Sequence, residues 1–400
     1  MQGTDTNREP SQTKPQPDNL DLYDIIIIGS GNGACGFLSR YLDSIESSSS
    51  PPRILVLEEG ESFFQTSDIT HQNNWTQAYA EANIFKLHNA LTPTGKPIIS
   101  GRACTMGGGG SINYTMLHES SQWLSHQIGH TPDYWDQLKA DLNEKFHRPD
   151  PTKEVSPITQ WILNAAKQFG YQQNQDYTKH IPNFKIGQTG LLHVFPTQFN
   201  RFGQRTNSGV SLVDWVNGAV EIKTRHHVER LEFVTAQEGD MSCVGVHAQD
   251  LDRGASNYFQ LKPDGGKLIL CAGAGSPKLL WPYRETLGRG KIGQHVNDHV
   301  LLPLGIYVVP PEIAITGKDV YIPIFATNLW EPSSEEAGQG TVFNLDFFSG
   351  NFERLWFIVA HLYLAFLLPN WLKKIVIRTP WLFTFISNAI RLLLEFINVL

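Results

Sequence analysis

Apolar and polar positions change period several times along this chain. Residues 1–22 are polar and Pro-rich, with no apolar stretch of the secretory-leader kind, and read as a disordered tail. Tyr23–Ile28 is a short continuous apolar run ending in glycine, the pattern of a strand buried on both faces. From Gly33 onward Phe37, Leu38, Tyr41, Leu42 and Ile45 recur at helical spacing, and Ser47–Ser50 with Pro51 and Pro52 ends that helix. Ile54–Leu57 is a second buried strand, closed by Glu58 and Glu59. Strand, glycine turn, helix and strand make one right-handed βαβ unit.

The middle of the chain is more mixed. Turn signals cluster at Thr92–Pro97, and four consecutive glycines, Gly107–Gly110, run into a strand-like SINYTML segment from Ser111. Helices are predicted around Tyr134–Phe146, Ser156–Gly170 and Ser208–Asn217, and strands at Val220–Thr224, His227–Thr235, Cys243–Ala248 and Lys267–Cys271. The last part is very apolar. Leu355–Leu368 lies between Arg354 and Pro369 and is shorter than the ~20 residues a membrane span needs. Beyond Trp381 the polar residues Thr384, Ser387, Asn388, Arg391, Glu395 and Asn398 trace one narrow helical stripe. Such helices require cover. The preferred reading is an interior layer of a second domain, and the alternative is a peripheral membrane contact through 354–400, with Trp371, Trp381, Lys373 and Lys374 at the interface. The end at EFINVL, without cap or polar close, reads as a fragment or a shortened gene product.

Composition narrows the classes. Hydrophobic residues at 41% make a folding chain, and 400 residues suggest more than one domain. A net charge of −7 argues against nucleic-acid binding. Five basic against two acidic side chains give 351–400 a net +3, so the body before it carries −10 of the total −7. Cys35, Cys104, Cys243 and Cys271 show no CxxC spacing, so neither a disulfide framework nor a zinc site is indicated, which fits the reducing, cytoplasmic compartment expected of a chain without a leader pattern, membrane-associated if the tail lies on lipid.

The strongest chemical signal is Gly29-x-Gly31-x-x-Ala34 between strand and helix, with Glu58 at the end of the next strand. Gly29 permits a tight turn, Gly31 removes the Cβ that would block a pyrophosphate, and Ala34 allows close helix–strand packing. Asn32, Gly33 and Ala34 open a helix whose N-terminal amides favour phosphate, and Glu58 is placed to accept from ribose hydroxyls while repelling a 2′-phosphate. This predicts dinucleotide binding without saying which dinucleotide.

Three further segments resemble the glucose–methanol–choline (GMC) oxidoreductases, a family of FAD enzymes. Ala103–Asn113, with its glycines, is similar to the family's first signature; LILCAGAGSPKLL (268–280) is similar to its later strand–AGAxxSPxLL element, one residue shorter; and IGQHVNDH (292–299) resembles its VGxNxxDH run. GQRTNS (203–208) is a smaller echo, and the likeness runs in family order over about 23–305. The resemblance implies FAD, held by Gly29, Gly31, Asn32, Gly33, Ala34, Glu58, Gly107, Gly108, Gly109, Gly110, Asn113, Val228, Ala272, Gly273, Asn297, Asp298 and His299. Members with covalent flavin can carry His immediately before the signature's Asn; Ile112 stands there, so the expected FAD is non-covalent. His295 and His299 share i,i+4 spacing, but no HExxH glutamate accompanies them, and no metal site is expected.

The family reaction is oxidation of an alcohol CH–OH, with hydride passing to flavin N5 and a late histidine taking the hydroxyl proton. No late HPxGT-like motif is present, and His361, the only histidine past His299, sits in an apolar helical run, so the catalytic residues are unassigned. The reading is thus an α/β protein: a Rossmann-like FAD-binding domain with a parallel sheet (23–135 and 203–305) and a partial substrate-side α+β region with apolar C-terminal helices (136–202 and 306–400). Its partner would be a small, hydrophobic alcohol, with the electron acceptor unassigned. Rival readings are a flavin-binding but catalytically silent homologue, and an NAD-binding dehydrogenase or a peripheral membrane protein that uses its Rossmann unit structurally. No GxSxG elbow or P-loop supports hydrolase or nucleotidase chemistry.

Overall fold

The computed structural model describes residues 22–45, 49–62, 84–91, 97–113, 157–168, 172–173, 191–196, 220–235, 241–294, 321–327 and 341–344, and single positions at 129, 131, 133, 134, 137, 209, 371, 385 and 389. At the centre lies a four-stranded parallel sheet in the order β12 (Lys267–Leu270), β2 (Ile25–Ile28), β3 (Ile54–Leu57), β8 (Val220–Lys223). Helix α1 (Asn32–Ile45) joins β2 to β3, as the apolar spacing from Gly33 predicts.

Alternation along the central strands splits the core in two. Ile25, Ile27, Ile54 and Val56 pack with Ala34 and Leu38 of α1 and with Ile84, Met106 and Ile112. Ile26, Ile28, Leu55 and Leu57 face the other way, onto Val228, Leu231, Val246, Ala248 and Leu261. These last come from an antiparallel meander of β9 (His226–Thr235), β10 (Met241–Asp250) and β11 (Ala255–Leu261). A strand buried on both faces therefore reads as four consecutive isoleucines.

The predicted single strand Tyr23–Ile28 is divided. β1 (Leu22–Tyr23) pairs in parallel with β11 in the meander, while β2 belongs to the parallel sheet. The break falls at Asp24, whose carboxylate accepts from the Arg53 amide at 2.7 Å and from Lys262 Nζ, and so turns the chain from one layer to the next. A second correction concerns SINYTML: Ser111 and Ile112 are not extended but end a short helix, α2 (Gly109–Ile112). Gly107 and Gly108, at φ +86° and +54°, reverse the chain just before it.

β4 (Phe85–Leu91) and β5 (Pro97–Ala103) form an antiparallel hairpin around the turn signals at 92–97. Elsewhere α3 (Pro157–Gln168) matches the predicted helix, and β6 (Gln172–Gln173), β7 (Leu191–Pro196), β13 (Tyr321–Thr327) and β14 (Thr341–Asn344) make a fourth sheet in the order β14-β13-β7-β6. After β12 comes α4 (Gly275–Leu280). Helical backbone is described at Asp133, Tyr134 and Gln137, at Gly209, and at Trp371, Phe385 and Ala389; the rest of the predicted Tyr134–Phe146 and Ser208–Asn217 helices and of the apolar C-terminal helices lies outside the described residues. Among the described residues no helix is long and apolar enough to cross a membrane.

Candidate cofactor site

Register fixes the site. Ile28 pairs with Leu57 on one side and Leu270 on the other, so Gly29, Glu58 and Cys271 leave the sheet at one level. The Gly29 amide donates to Leu57 O at 2.8 Å and the Cys271 amide to Ile28 O at 2.7 Å. Because β3 and β12 flank β2 on opposite sides, the crevice beyond its carboxyl end is a topological switch point, the place where open parallel sheets bind ligands.

The glycine positions differ in what surrounds them. Gly29 has φ +91°, and a Cβ there would lie 2.6 Å from Cys271 O. At Gly31 the nearest atoms to a Cβ are Cys271 O at 3.8 Å and the Gly108 Cα at 3.9 Å, ordinary van der Waals contacts without a clash. Gly108 in turn would bring a Cβ to 3.0 Å from the Gly31 Cα, so the two glycine turns abut. Gly33 faces the Cys271 side chain, with Sγ 3.5 Å from a Cβ placed there, and Ala34 is fully buried on the face of α1 that packs on the sheet. The first amides of α1, at Asn32, Gly33 and Ala34, have no acceptor within the helix and carry its positive dipole end.

Glu58 is buried beside this turn and already engaged. Its Oε2 accepts from the Ser30 amide at 3.0 Å and the Ser30 hydroxyl at 2.7 Å, and its Oε1 accepts from the Gly60 amide at 2.8 Å. The Gly107 amide donates to Ser30 Oγ at 3.1 Å, which carries the same network into the second glycine turn. Three of roughly four carboxylate lone-pair directions are thus used, leaving one on Oε1. Burial pushes the Glu58 carboxyl above its usual range, against those hydrogen bonds, and the neighbouring Glu59 charge adds to the rise.

The other predicted residues fall as follows. Gly107 and Gly110 are buried and Gly109 is exposed; the Asn113 amide closes α2 on Gly109 O at 2.9 Å. Val228 is buried in β9 opposite Ala248. Ala272 and Gly273 follow β12, the latter at φ +52° and exposed. The structure thus brings Gly29–Ala34, Glu58, Gly107, Gly108 and the turn after β12 together; Asn297, Asp298 and His299 lie outside the described residues.

Sequence reasoning missed Ser30 and the Glu59–Gly60 pair. Glu59 accepts from Lys86 Nζ at 2.8 Å and from Arg102 Nη2, and its Oε1 lies 3.2 Å from His227 Nδ1. Burial opposes its charge, but the bonds from His227, Lys86 and Arg102 outweigh that and hold Glu59 well below the usual carboxylate range. Gly60 lets the chain cross Cys104: a Cβ there would lie 2.2 Å from the Cys104 carbonyl. Among the described residues no cluster of metal-ligating side chains occurs.

A glycine free of clashes just before the first helix amides, a buried carboxylate at the next strand end and two abutting glycine turns suit the phosphates and sugar of a dinucleotide, which marks a Rossmann-type dinucleotide-binding fold. The chain matches the sequence model described as GMC oxidoreductase over residues 23–301, well over half its length. It belongs to the GMC oxidoreductase family, a membership that supports FAD as the cofactor. No curated protein matches it. Similar solved structures include an R554K formate oxidase of Aspergillus oryzae RIB40, studied for its FAD modification, at TM-score 0.48 and 18% identity over 68% of this chain and 50% of that one. Pyridoxine 4-oxidase from Mesorbium loti follows at TM-score 0.46 and 19% identity, over 66% and 51%. A fungal aryl-alcohol oxidase aligns at TM-score 0.44 and 14% identity, over 65% and 47%. The chain spans about half the length of these structures.

Proposed function

We propose that this chain holds FAD non-covalently, with the diphosphate over Gly31 and the first amides of α1, the ribose at Glu58, and the second glycine turn on the far side. The observation that carries the reading is that a Cβ at Gly31 would meet protein only at ordinary van der Waals distances, so the protein's own packing does not demand a glycine there. Gly29, by contrast, is tight against protein. Bound there, the flavin would supply the acceptor for a hydride leaving an alcohol carbon. The protein's own part is to orient the dinucleotide through backbone amides and to accept one ribose hydroxyl at the remaining Glu58 lone pair.

Non-covalent attachment is supported by Ile112, an apolar side chain packed in the core with Met106 and Ala34. The substrate reading, a small hydrophobic alcohol, rests on family membership and on the apolar character of the tail. No described residue is assigned as the base: His226 Nδ1 lies 2.7 Å from Thr224 O, and His227 faces Glu59. A second reading, in which this chain binds flavin without turning over an alcohol, makes the opposite prediction for an alcohol assay.

The test is direct. Purified protein should be yellow, acid precipitation should leave all flavin in the supernatant, and FAD at ~100 times Kd should add about 2.7 kcal/mol of stability. Colourless protein whose melting temperature ignores FAD rules the binding reading out. Flavin-loaded protein that stays oxidised in the presence of a panel of primary and aryl alcohols selects the silent reading.

A further inference from the structure

Three chain segments form the walls of the site, and all three meet at Glu58-Glu59-Gly60. The first glycine turn reaches it through Ser30. The meander reaches it through two backbone bonds, His226 N–H to Glu58 O at 2.9 Å and Arg225 N–H to Gly60 O at 3.1 Å. The hairpin reaches it where Cys104 crosses Gly60 and where Met106 N–H donates to Glu61 O at 3.1 Å, immediately before the second glycine turn.

Glu59 adds side-chain bonds to two of these walls. Lys86 and Arg102 stand directly opposite each other in the β4–β5 register. Two like charges facing across an antiparallel pair repel, and Glu59 resolves this by taking Lys86 on Oε1 and Arg102 on Oε2. Its Oε1 also lies beside His227, the residue before Val228 on β9. Glu59 itself is only 14% exposed, so water screens the cluster incompletely.

We propose that Glu59 is a positioning residue for the cofactor groove: it neutralises the Lys86–Arg102 pair, thereby holds the hairpin that carries the second glycine turn, and ties that hairpin to the start of β9. It acts through Lys86, Arg102 and His227 and is not itself a ligand of the cofactor. The effect on cofactor binding rests on the FAD reading above; the effect on the hairpin does not.

The experiment compares the full chain with Glu59→Gln, Glu59→Asp and the double variant Glu59→Gln/Lys86→Gln, by amide hydrogen exchange without cofactor and by FAD titration. In Glu59→Gln, exchange should rise about tenfold across 97–110 and 226–228 while the amides of β2 and β3 keep their protection, and FAD should bind roughly tenfold more weakly. Glu59→Asp should recover part of the loss. Glu59→Gln/Lys86→Gln should recover part as well, because removing one of the opposed cations relieves the repulsion; a role in packing alone would give no such rescue. Unchanged exchange at 97–110 in Glu59→Gln, or a double variant worse than the single one, overturns the proposal. Wild-type chain that takes up no FAD defeats the cofactor reading only, and the exchange comparison still decides the role of Glu59.

Discussion

The two glycine turns use one residue type for different physical reasons. In the first, Gly29 is a requirement of the fold: its φ of +91° and the Cys271 carbonyl 2.6 Å from a built Cβ both exclude a side chain. Gly31, two residues on, meets no such obstacle, since the nearest atoms lie at 3.8 and 3.9 Å. In the second turn Gly107 and Gly108 reverse the chain at positive φ, and a Cβ on Gly108 would press on Gly31 itself. A glycine that the protein does not need for its own packing, next to one that it does, is the mark of a surface shaped for something else.

That contrast is sharpest in a pair of alanine substitutions. Gly29→Ala adds a left-handed alanine, costing ~1–2 kcal/mol, and a backbone clash of ~1–3 kcal/mol, so denaturant unfolding should show a loss of about 3 kcal/mol or more. Gly31→Ala should cost no more than about 1 kcal/mol in unfolding: its Cβ meets only ordinary contacts, and the residue before α1 prefers Gly to Ala by a modest amount. Its effect should appear in FAD titration instead, as a loss of roughly 10- to 100-fold, the ~1–3 kcal/mol of an overpacked contact. Equal stability losses in the two variants, or a Gly31→Ala protein with wild-type affinity, would erase the distinction.

The first turn was legible in the sequence and its surroundings were not, for a physical reason. A βαβ unit is local: the buried runs at 25–28 and 54–57 and the helical spacing from Gly33 appear in the order that the chain folds them. The partners of Glu59 lie 27 and 43 residues further on, in a hairpin whose register no local pattern reveals. Two adjacent glutamates at a strand end also look alike in sequence, whereas in the structure one carboxylate turns to Ser30 and the other to Lys86. The division at Asp24 was hidden in the same way, since it depends on Lys262, 238 residues away. The short helix at Gly109–Ile112 was missed because two positive-φ glycines reset the chain direction, which apolar periodicity does not register. For the second glycine turn, resemblance to a family carried what periodicity lacked, and the match over 23–301 agrees with it.

Glu58 and Glu59 extend the comparison to pH. Glu59 is depressed below its ordinary 4.5: burial resists its charge, but His227, Lys86 and Arg102 prevail. The unfolded chain therefore takes up a proton near pH 4.5 where the folded chain does not, so the contribution of Glu59 is present above that pH and is lost as pH falls below it. Glu58 is raised, chiefly by burial, so the folded chain keeps a proton that the unfolded chain has released. Its contribution is full below pH 4.5 and declines as pH rises towards the folded value. Measured against wild type from about pH 3 to about pH 7, the stability lost in Glu59→Gln should grow with pH, and that lost in Glu58→Gln should shrink, each by on the order of 1 kcal/mol. The substitution itself adds a constant offset in each variant, so the slopes and not the absolute values carry the comparison. Slopes of the same sign would mean that the two carboxylates share one environment, and the assignment of one to the groove and the other to the hairpin would fail.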